Sequence, residues 1–277
     1  VKVTLWGTRG SLAAPGPETV GYGGNTACVE ARSKDGAVLI LDAGTGIRRL
    51  GVTLAGDERR LDILLSHLHV DHIQGLGFFA PLFEPGREIH IWGPPSTTMN
   101  LRARLGRYLS PPLFPVPLRE LPSQITLHDV PMDPFEIEGL RLSADLICHP
   151  GPSVGYRIEE DGRVLTYIPD HEPALGARSF PGRPDWISGY ALAHGADVLI
   201  HDSQYTDEEY LRRVGWGHSS MTQAVQFAMA AEVERLIGFH HDPDRSDDQL
   251  DRLCAQLVQQ ELPFEFRPGW EGATYDV

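Results

Sequence analysis

Residues 63–75 read I-L-L-S-H-L-H-V-D-H-I-Q-G, and no other stretch restricts the fold of this chain as strongly. Residues 63–66 have the apolar character of a strand, and after His72 the pattern becomes helical. Between the two stand His67, His69, Asp71 and His72. If the strand runs on through the histidines, alternation turns His67 and His69 to one side, while Asp71 and His72, just past its end, face the same space from another angle. Imidazole nitrogens beside carboxylate oxygens suit zinc, manganese or iron, and the absence of a nearby cysteine argues against a structural zinc knuckle. Four side chains in the order H-x-H-x-D-H are poorly explained as separate surface histidines. The chain is therefore expected to place a strand end at the floor of a metal cradle.

The rest of the composition bounds what surrounds that cradle. A chain of 277 residues holds one large domain or two small ones, and 41% hydrophobic with 22% charged residues is ordinary for a globular protein. The formal charge of −14 repels polyanions, which argues against large nucleic acids as partners while leaving small anions that a bound cation would attract. Cys28, Cys148 and Cys254 are odd in number and form no C-x-x-C pair, so they read as buried small hydrophobes in a reducing compartment. No apolar run approaches the roughly 20 residues of a membrane span. The opening V-K-V-T-L-W alternates like a first strand and lacks a signal peptide's long apolar region, giving the expectation of a cytoplasmic protein without a membrane partner.

Strands are expected at residues 3–6, 28–31, 38–41, 63–66 and 89–92, with helices at 46–54 and, capped after Ser96, at 97–109. The segment P-P-L-F-P-V-P, residues 111–117, resists both helix and ladder because proline lacks the donor and fixes φ. It is either a linker or a loop lying on the body, and its interleaved Leu, Phe and Val favour the loop. Exposed Leu113 and Phe114 would then cover the site or meet a second subunit of a homodimer. Strands resume at 125–128, 140–148, 154–158, 164–168, 198–201 and 236–239. Helices are expected at 186–194, 207–214, 221–231 (capped by Ser219 or Ser220) and 247–260. A hairpin-rich half followed by a second set of strands, each with helices, suggests one α/β domain over 1–277 with two sheets between helices.

The H-x-H-x-D-H motif followed by Gly75 resembles that of the metallo-β-lactamase superfamily. That resemblance implies an αββα sandwich, two mixed sheets flanked by helices, with a two-metal site at one edge. It also implies further ligands. His149, in C-H-P-G-P-S-V-G-Y, ends a strand and begins a Pro/Gly turn, as the superfamily's next histidine does. Asp170, closing the apolar run of L-T-Y-I-P-D-H, corresponds to the metal-bridging aspartate. For the last ligand L-I-G-F-H-H-D-P offers His240 or His241, with His240 preferred because it follows the apolar run directly. One metal would sit with His67, His69 and His149, the other with Asp71, His72 and His240, and Asp170 between them. The implied cofactors are two divalent ions, zinc first and manganese or iron as alternatives, sharing a water or hydroxide of lowered pKa.

Two other branches leave marks that are absent here: a Glu in place of His69, or a Cys among the ligands. The stretch G-H-S-S-M-T-Q-A, residues 217–224, instead resembles the H-S-T motif of tRNase Z and related phosphodiesterases. His218 is on that basis a candidate general acid, unless it is only a loop histidine beside a helix cap. W-G-T-R-G-S, Y-G-G-N-T and L-I-H-D-S-Q-Y are similar to stretches of the same branch, so the resemblance spans nearly the whole chain. It implies that His201 and Asp202 orient ligands from behind. Arg9, Asn25 and Thr26 are read as holding the first hairpins together, with Gly24 at a tight turn.

In tRNase Z a long tRNA-gripping arm separates the counterparts of His149 and Asp170, whereas here twenty residues intervene, enough for two strands and a turn. The expectation is a dinuclear metal-dependent phosphodiesterase for a small anionic diester such as a cyclic nucleotide or cyclic ribose phosphate. A metal-bridging hydroxide would attack, His218 would protonate the leaving oxygen, and Asp71 and Asp170 would fix the metals and briefly hold the nucleophile's proton. Hydrolysis of a carboxylic ester, thioester or lactone on the same metals is an alternative, as is a non-catalytic metal-binding interaction protein.

Overall fold

The computed structural model describes residues 1–177, 179–259 and 261–277. Six strands of the first half lie side by side in chain order: β1 (Lys2–Gly7), β2 (Cys28–Arg32), β3 (Val38–Leu41), β4 (Leu61–Leu64), β5 (Glu88–Gly93) and β6 (Gln124–Asp129). The second half repeats the arrangement with β7 (Phe135–Ile137), β8 (Leu140–Leu146), β9 (Val154–Glu160), β10 (Arg163–Ile168), β11 (Val198–Asp202), β12 (Arg235–Phe239) and β13 (Glu265–Pro268). Finally β14 (Thr274–Asp276) returns to pair antiparallel with β1. Each sheet is mixed: β1 to β3 and β7 to β10 are antiparallel, whereas β3 to β6 and β10 to β13 are parallel.

The unbroken V-L-I-L of β3 shows why both faces of the sheet are covered. Leu39 and Leu41 point into a core shared with Tyr156, Leu165 and Phe239 of the second sheet. Val38 and Ile40 point the other way, onto Ile47 and Leu50 of helix α1 (Ile47–Leu54). A strand apolar on both faces is expected only where another layer lies on each side. The second sheet has its own outer core, where Leu199 and Leu236 meet Phe227 and Leu250. The layers are therefore helix, sheet, sheet, helix, the expected αββα sandwich.

The remaining helices are short. They are α2 (Val70–Ile73), α3 (Leu101–Tyr108), α4 (Tyr190–Ala193), α5 (Asp207–Leu211), α6 (Met221–Ala230) and α7 (Asp247–Val258). Thr206, Ser220 and Ser246 each accept from the backbone N–H three residues on, and the Glu or Gln there returns a bond to the cap. These reciprocal bonds satisfy two of the donors that a helix start leaves open. Helix α3 begins later than its composition suggests, because Asn100 rather than Ser96 caps it, accepting from Ala103 N–H. Only Tyr190–Ala193 of the expected helix 186–194 forms, since Gly189 takes φ +71° and breaks the run. Helix α7 ends at Val258, and the expected terminus at Gln260 lies outside the described residues.

Two local details set the surroundings of the site. The Pro-rich loop lies on the body: Phe114 is buried against Gly77, where a Cβ would come within 2.4 Å of its ring. The expected exposure of Phe114 is thus corrected, while Leu113 is 69% exposed. Strands β9 and β10 join through Asp161 and Gly162 alone, both at positive φ, the two-residue hairpin turn that D-G favours. Among the described residues no helix is long and apolar enough to cross a membrane. Cys28 and Cys254 are buried, and Cys148 is partly so.

The N-terminal motifs form a frame behind the site. Arg9 is fully buried, with Nε donating to Gly23 O at 2.8 Å and Nη1 to Asp242 O at 3.1 Å and Arg245 O at 2.7 Å. Its Nη2 reaches Asp247 at 3.3 Å. Asn25 donates to Glu271, and Thr26 Oγ1 donates to Asp71 O at 2.7 Å. Gly23, at φ +94°, makes the turn expected of Gly24; Gly24 is instead required by close approach, since a Cβ would lie 2.5 Å from Ala14 O. Arg9→Met leaves the carbonyls of Gly23, Asp242 and Arg245 and the Asp247 carboxylate short of a donor. It is expected to lower stability by about 3 kcal/mol, read as a fall in the urea midpoint.

Candidate metal centre

Parallel strands deliver the site. Asp42 directly follows β3, Asp170 lies two residues beyond β10, and His240 follows β12. Ends of parallel strands that stop together leave a crevice, the usual place for ligands in open α/β sheets. The first cluster is arranged differently from the alternation expected of a strand. Strand β4 stops at Leu64, so His67 and His69 lie in the loop beyond it, His67 buried and His69 exposed. His69 sits immediately before α2, whose single turn carries Asp71 and His72.

The structure brings the candidate residues into two adjoining groups. His67, His69, His149 and Asp170 form one; Asp71, His72, Asp170 and His240 form the other, each with its ligand atoms within 4.8 Å of one another. Asp170 faces both. Its Oδ2 lies 3.6 Å from His67 Nε2 and 3.8 Å from His149 Nε2. Its Oδ1 lies 3.0 Å from His72 Nε2 and 3.3 Å from His240 Nε2. Asp71 Oδ2 completes the second group, 3.1 Å from His240 Nε2 and 3.3 Å from His72 Nε2, and also accepts from Ser11 N–H at 2.8 Å.

Hydrogen bonds behind the rings fix which nitrogen faces inward. His72 Nδ1–H donates to Asp42 at 2.8 Å, and His149 Nδ1–H donates to Gly217 O at 2.8 Å. Ser66 Oγ donates to Asp42, which leaves it to accept from His67 Nδ1–H at 3.0 Å. In each case the Nε2 lone pair is turned into the space between the groups. His67 Nε2 and Asp170 Oδ1 are buried without a hydrogen-bond partner, which in a protein interior calls for a further occupant. A divalent cation fits this donor set of imidazole and carboxylate.

The electrostatics agree. Burial lowers the His67 imidazole well below its ordinary value and takes His149 down to about 4, keeping both neutral and able to ligate. At His72 burial works the same way, yet Asp170, Asp71 and Asp42 together pull it well above the ordinary range. The field that favours a proton there favours a cation. His241 is buried with Nε2–H donating to Gly269 O at 2.8 Å, and burial lowers it to about 3. It faces away from both groups, so of the adjacent pair His240 is the one delivered to the centre.

Residues 38–241 match the family described as the beta-lactamase superfamily domain. The chain belongs to the β-lactamase superfamily. It is 31% identical to a ribonuclease Z of Myxococcus xanthus strain DK1622 over 279 residues, covering 87% of this chain and 88% of that one. Two solved structures superpose on it at 18% identity with a TM-score of 0.71. One is YhfI, a metallo-β-lactamase fold protein from Bacillus subtilis, with 99% of each chain covered. The other is a diphosphatase of the PhnP family, with 100% of this chain and 97% of the other covered. The superfamily member described here falls in the phosphodiesterase branch and is a metal-dependent hydrolase.

Several residues of this superfamily member have roles that sequence reasoning misplaced or missed. Asp202 touches none of the proposed ligands as a hydrogen-bond partner; its Oδ2 instead accepts from His218 Nδ1–H at 2.7 Å. His201 lies in the core, with Nδ1–H donating to Asp202 O and its ring packed on Phe227. Glu172 accepts from Gly215 N–H, Gly217 N–H and Tyr210 Oη–H, pinning the loop whose Gly217 carbonyl orients His149. Asp42, which accepts from His72 Nδ1–H, is marked in the sequence only by L-D-A-G at the end of an apolar strand. Asp42→Asn is expected to weaken metal retention about 10- to 100-fold, measured by chelator competition. Gly10→Ala would drive a Cβ to within 2.1 Å of His240 Nδ1, so metal per chain should fall in elemental analysis.

Proposed function

We propose that the centre takes two divalent cations and that the chain hydrolyses a small phosphodiester. The observation that carries this reading is Asp170, whose two oxygens face different ligand groups, Oδ1 toward His72 and His240 and Oδ2 toward His67 and His149. Such cations, when bound, supply positive charge for phosphoryl oxygens and bring the pKa of water toward neutrality. His67, His69 and His149 would hold one and Asp71, His72 and His240 the other, zinc being the first choice and manganese or iron the alternatives. The two sheets share a core, which supports reading residues 1–277 as one domain.

His218 supplies the acid in this reading. Burial alone would lower its pKa, but Asp202 at 2.7 Å, with Asp170 and Asp71 beyond, brings it up to about 9. Asp202 accepts the Nδ1–H, so the ring turns its Nε2 side to a departing oxygen. Its ring stacks on His240 at a centroid distance of 4.9 Å, next to the proposed ligands. Asp71 and Asp170, buried carboxylates among histidines, are placed to take the nucleophile's proton.

The substrate is the finer part of the proposal. A relative named ribonuclease Z brings RNA into consideration and runs against the expectation that large nucleic acids are excluded. Two features support a small diester instead: the two-residue turn between β9 and β10, which leaves no arm to grip a folded RNA, and the charge of −14. Free cysteines and the acidic balance suit a reducing, cytoplasmic setting.

With a cyclic nucleotide, whose departing ribose oxygen is a strongly basic alkoxide, His218→Asn should lower kcat about 10²- to 10³-fold in metal-loaded protein, while leaving hydrolysis of bis(p-nitrophenyl) phosphate, whose nitrophenolate departs without a proton, far less affected. Equal loss on both substrates removes His218 as the acid for the leaving oxygen. A precursor tRNA cleaved with higher kcat/KM than any small diester in the same panel rejects the small-substrate reading.

A further inference from the structure

Two stretches of the sequence, W-G-T-R-G-S near the N-terminus and L-I-H-D-S-Q-Y at the end of β11, meet at one buried amide, Gln204. Its backbone is fixed on both sides. The Gln204 N–H donates to Asp202 Oδ1 at 2.9 Å, and its carbonyl accepts from Arg245 Nη2 at 3.2 Å. Arg245 is in turn held by Arg9, whose Nη1 donates to its carbonyl. The side chain is thereby aimed between two segments that carry proposed ligands. Its Oε1 accepts from His240 Nδ1–H at 3.3 Å, and its Nε2 donates to Ser11 Oγ at 3.2 Å. Ser11 N–H continues the chain to Asp71 Oδ2 at 2.8 Å. An amide offers an acceptor and a donor at once, so one side chain reaches His240 directly and Asp71 through Ser11.

The backbone around this link is strained, which shows how much it has to hold. His240 takes φ +58° and Ser11 φ +59°, conformations that residues other than glycine keep only where their surroundings enforce them. The two segments also touch, since a Cβ on Gly10 would lie 2.1 Å from His240 Nδ1. With its proton on Nδ1, the His240 ring turns the Nε2 lone pair toward Asp71 Oδ2 at 3.1 Å and Asp170 Oδ1 at 3.3 Å. The other tautomer would present an N–H where a cation needs a lone pair. His67, His69 and His149 make no contact with this network: His149 is oriented by the Gly217 carbonyl and His67 by Ser66. We infer that Gln204 is the positioning residue for one half of the centre, fixing the tautomer and aim of His240 and, through Ser11, the aim of Asp71. The affinity for one cation then depends on Gln204, and the affinity for its neighbour does not. This rests on the two-cation reading and deepens it.

The test is zinc binding to the full chain, by calorimetry on metal-free protein and by chelator competition. The unmodified chain should take two ions. Gln204→Met, close in size but unable to bond His240 or Ser11, should weaken one ion about 10- to 100-fold and leave the other within about three-fold. Gln204→Glu keeps an oxygen for His240 Nδ1–H and can accept from Ser11 Oγ–H, so it should bring the weakened ion back to within about five-fold of the unmodified chain. A packing role alone predicts the reverse order, because methionine fills the space and a buried charge is costly. Should Gln204→Met fail to fold, Ser11→Ala reads the same link: it keeps the N–H to Asp71, removes the partner of the Gln204 amide, and should weaken the same ion about three-fold or more. Unchanged binding in Gln204→Met or in Ser11→Ala overturns the inference, as does equal weakening of both ions or a greater loss in Gln204→Glu than in Gln204→Met. An unmodified chain that takes a single ion overturns the two-cation reading instead, and the inference is then decided by whether Gln204→Met weakens that ion.

Discussion

Asp42 is a carboxylate with no exposure to water, and the arrangement of the centre depends on how it is satisfied. Its Oδ1 accepts from Ser66 N–H at 2.7 Å; its Oδ2 accepts from Ser66 Oγ–H at 2.7 Å, His72 Nδ1–H at 2.8 Å and Tyr167 Oη–H at 2.8 Å. An unpaired charge so deep would cost several kcal/mol. Here each partner does a second job. Ser66 orients His67, His72 presents its Nε2 inward, and Tyr167, from the second sheet, ties that sheet to the end of β3 in the first. Burial and the negative charge of Asp42 hold the Tyr167 phenol well above its ordinary value, so it remains a donor. One side chain thus links the packing of the two sheets to the aim of two histidines. The backbone at Asp42 takes φ +59°, an uncommon conformation for a residue other than glycine, and the four bonds hold it there.

The same economy recurs on the far side of the centre. Glu172 closes the loop at Gly215 and Gly217, and the Gly217 carbonyl orients His149. Asp202 holds His218 and also accepts from His171 N–H at 3.1 Å, next to Asp170. Carboxylates that touch no reacting atom therefore set the direction of the imidazoles that would. This division shows how so acidic a chain arranges a cluster of imidazoles at one site. Its buried carboxylates are spent on hydrogen bonds, and their field favours cations in the crevice between the sheets.

Much of this was legible in the amino-acid order because strands buried on both faces write themselves as short apolar runs, and a polar residue at the end of such a run marks the crevice. His149, Asp170 and His240 stand at such ends, and the resemblance carried by H-x-H-x-D-H is what singles them out from other polar residues in the same position. What the order of residues conceals is distance across the fold. Glu172 looks like an ordinary loop acid until the sheets are stacked, and Asp202 stands next to His201 in sequence but serves His218. Strands β7, β13 and β14 are edge strands of three or four residues with one neighbour each, too short for alternation to mark them in the sequence. The helix expected at 97–109 was shortened by Asn100, since both Ser96 and Asn100 are good caps by type and only packing selects between them.

The proposed cation ligands and the apolar cleft beside them are contributed by different parts of the chain. The residues proposed to bind cations come from the ends of strands, where the ladders of both sheets leave little freedom. The apolar cleft beside them is walled by the segment between β5 and β6, a surface excursion pinned at Leu101, Leu105 and Phe114. In this chain the turn between β9 and β10 is Asp161 and Gly162 alone, and the excursion places Arg104 and Arg107 along the cleft, Arg104 paired with Asp129 at 3.6 Å.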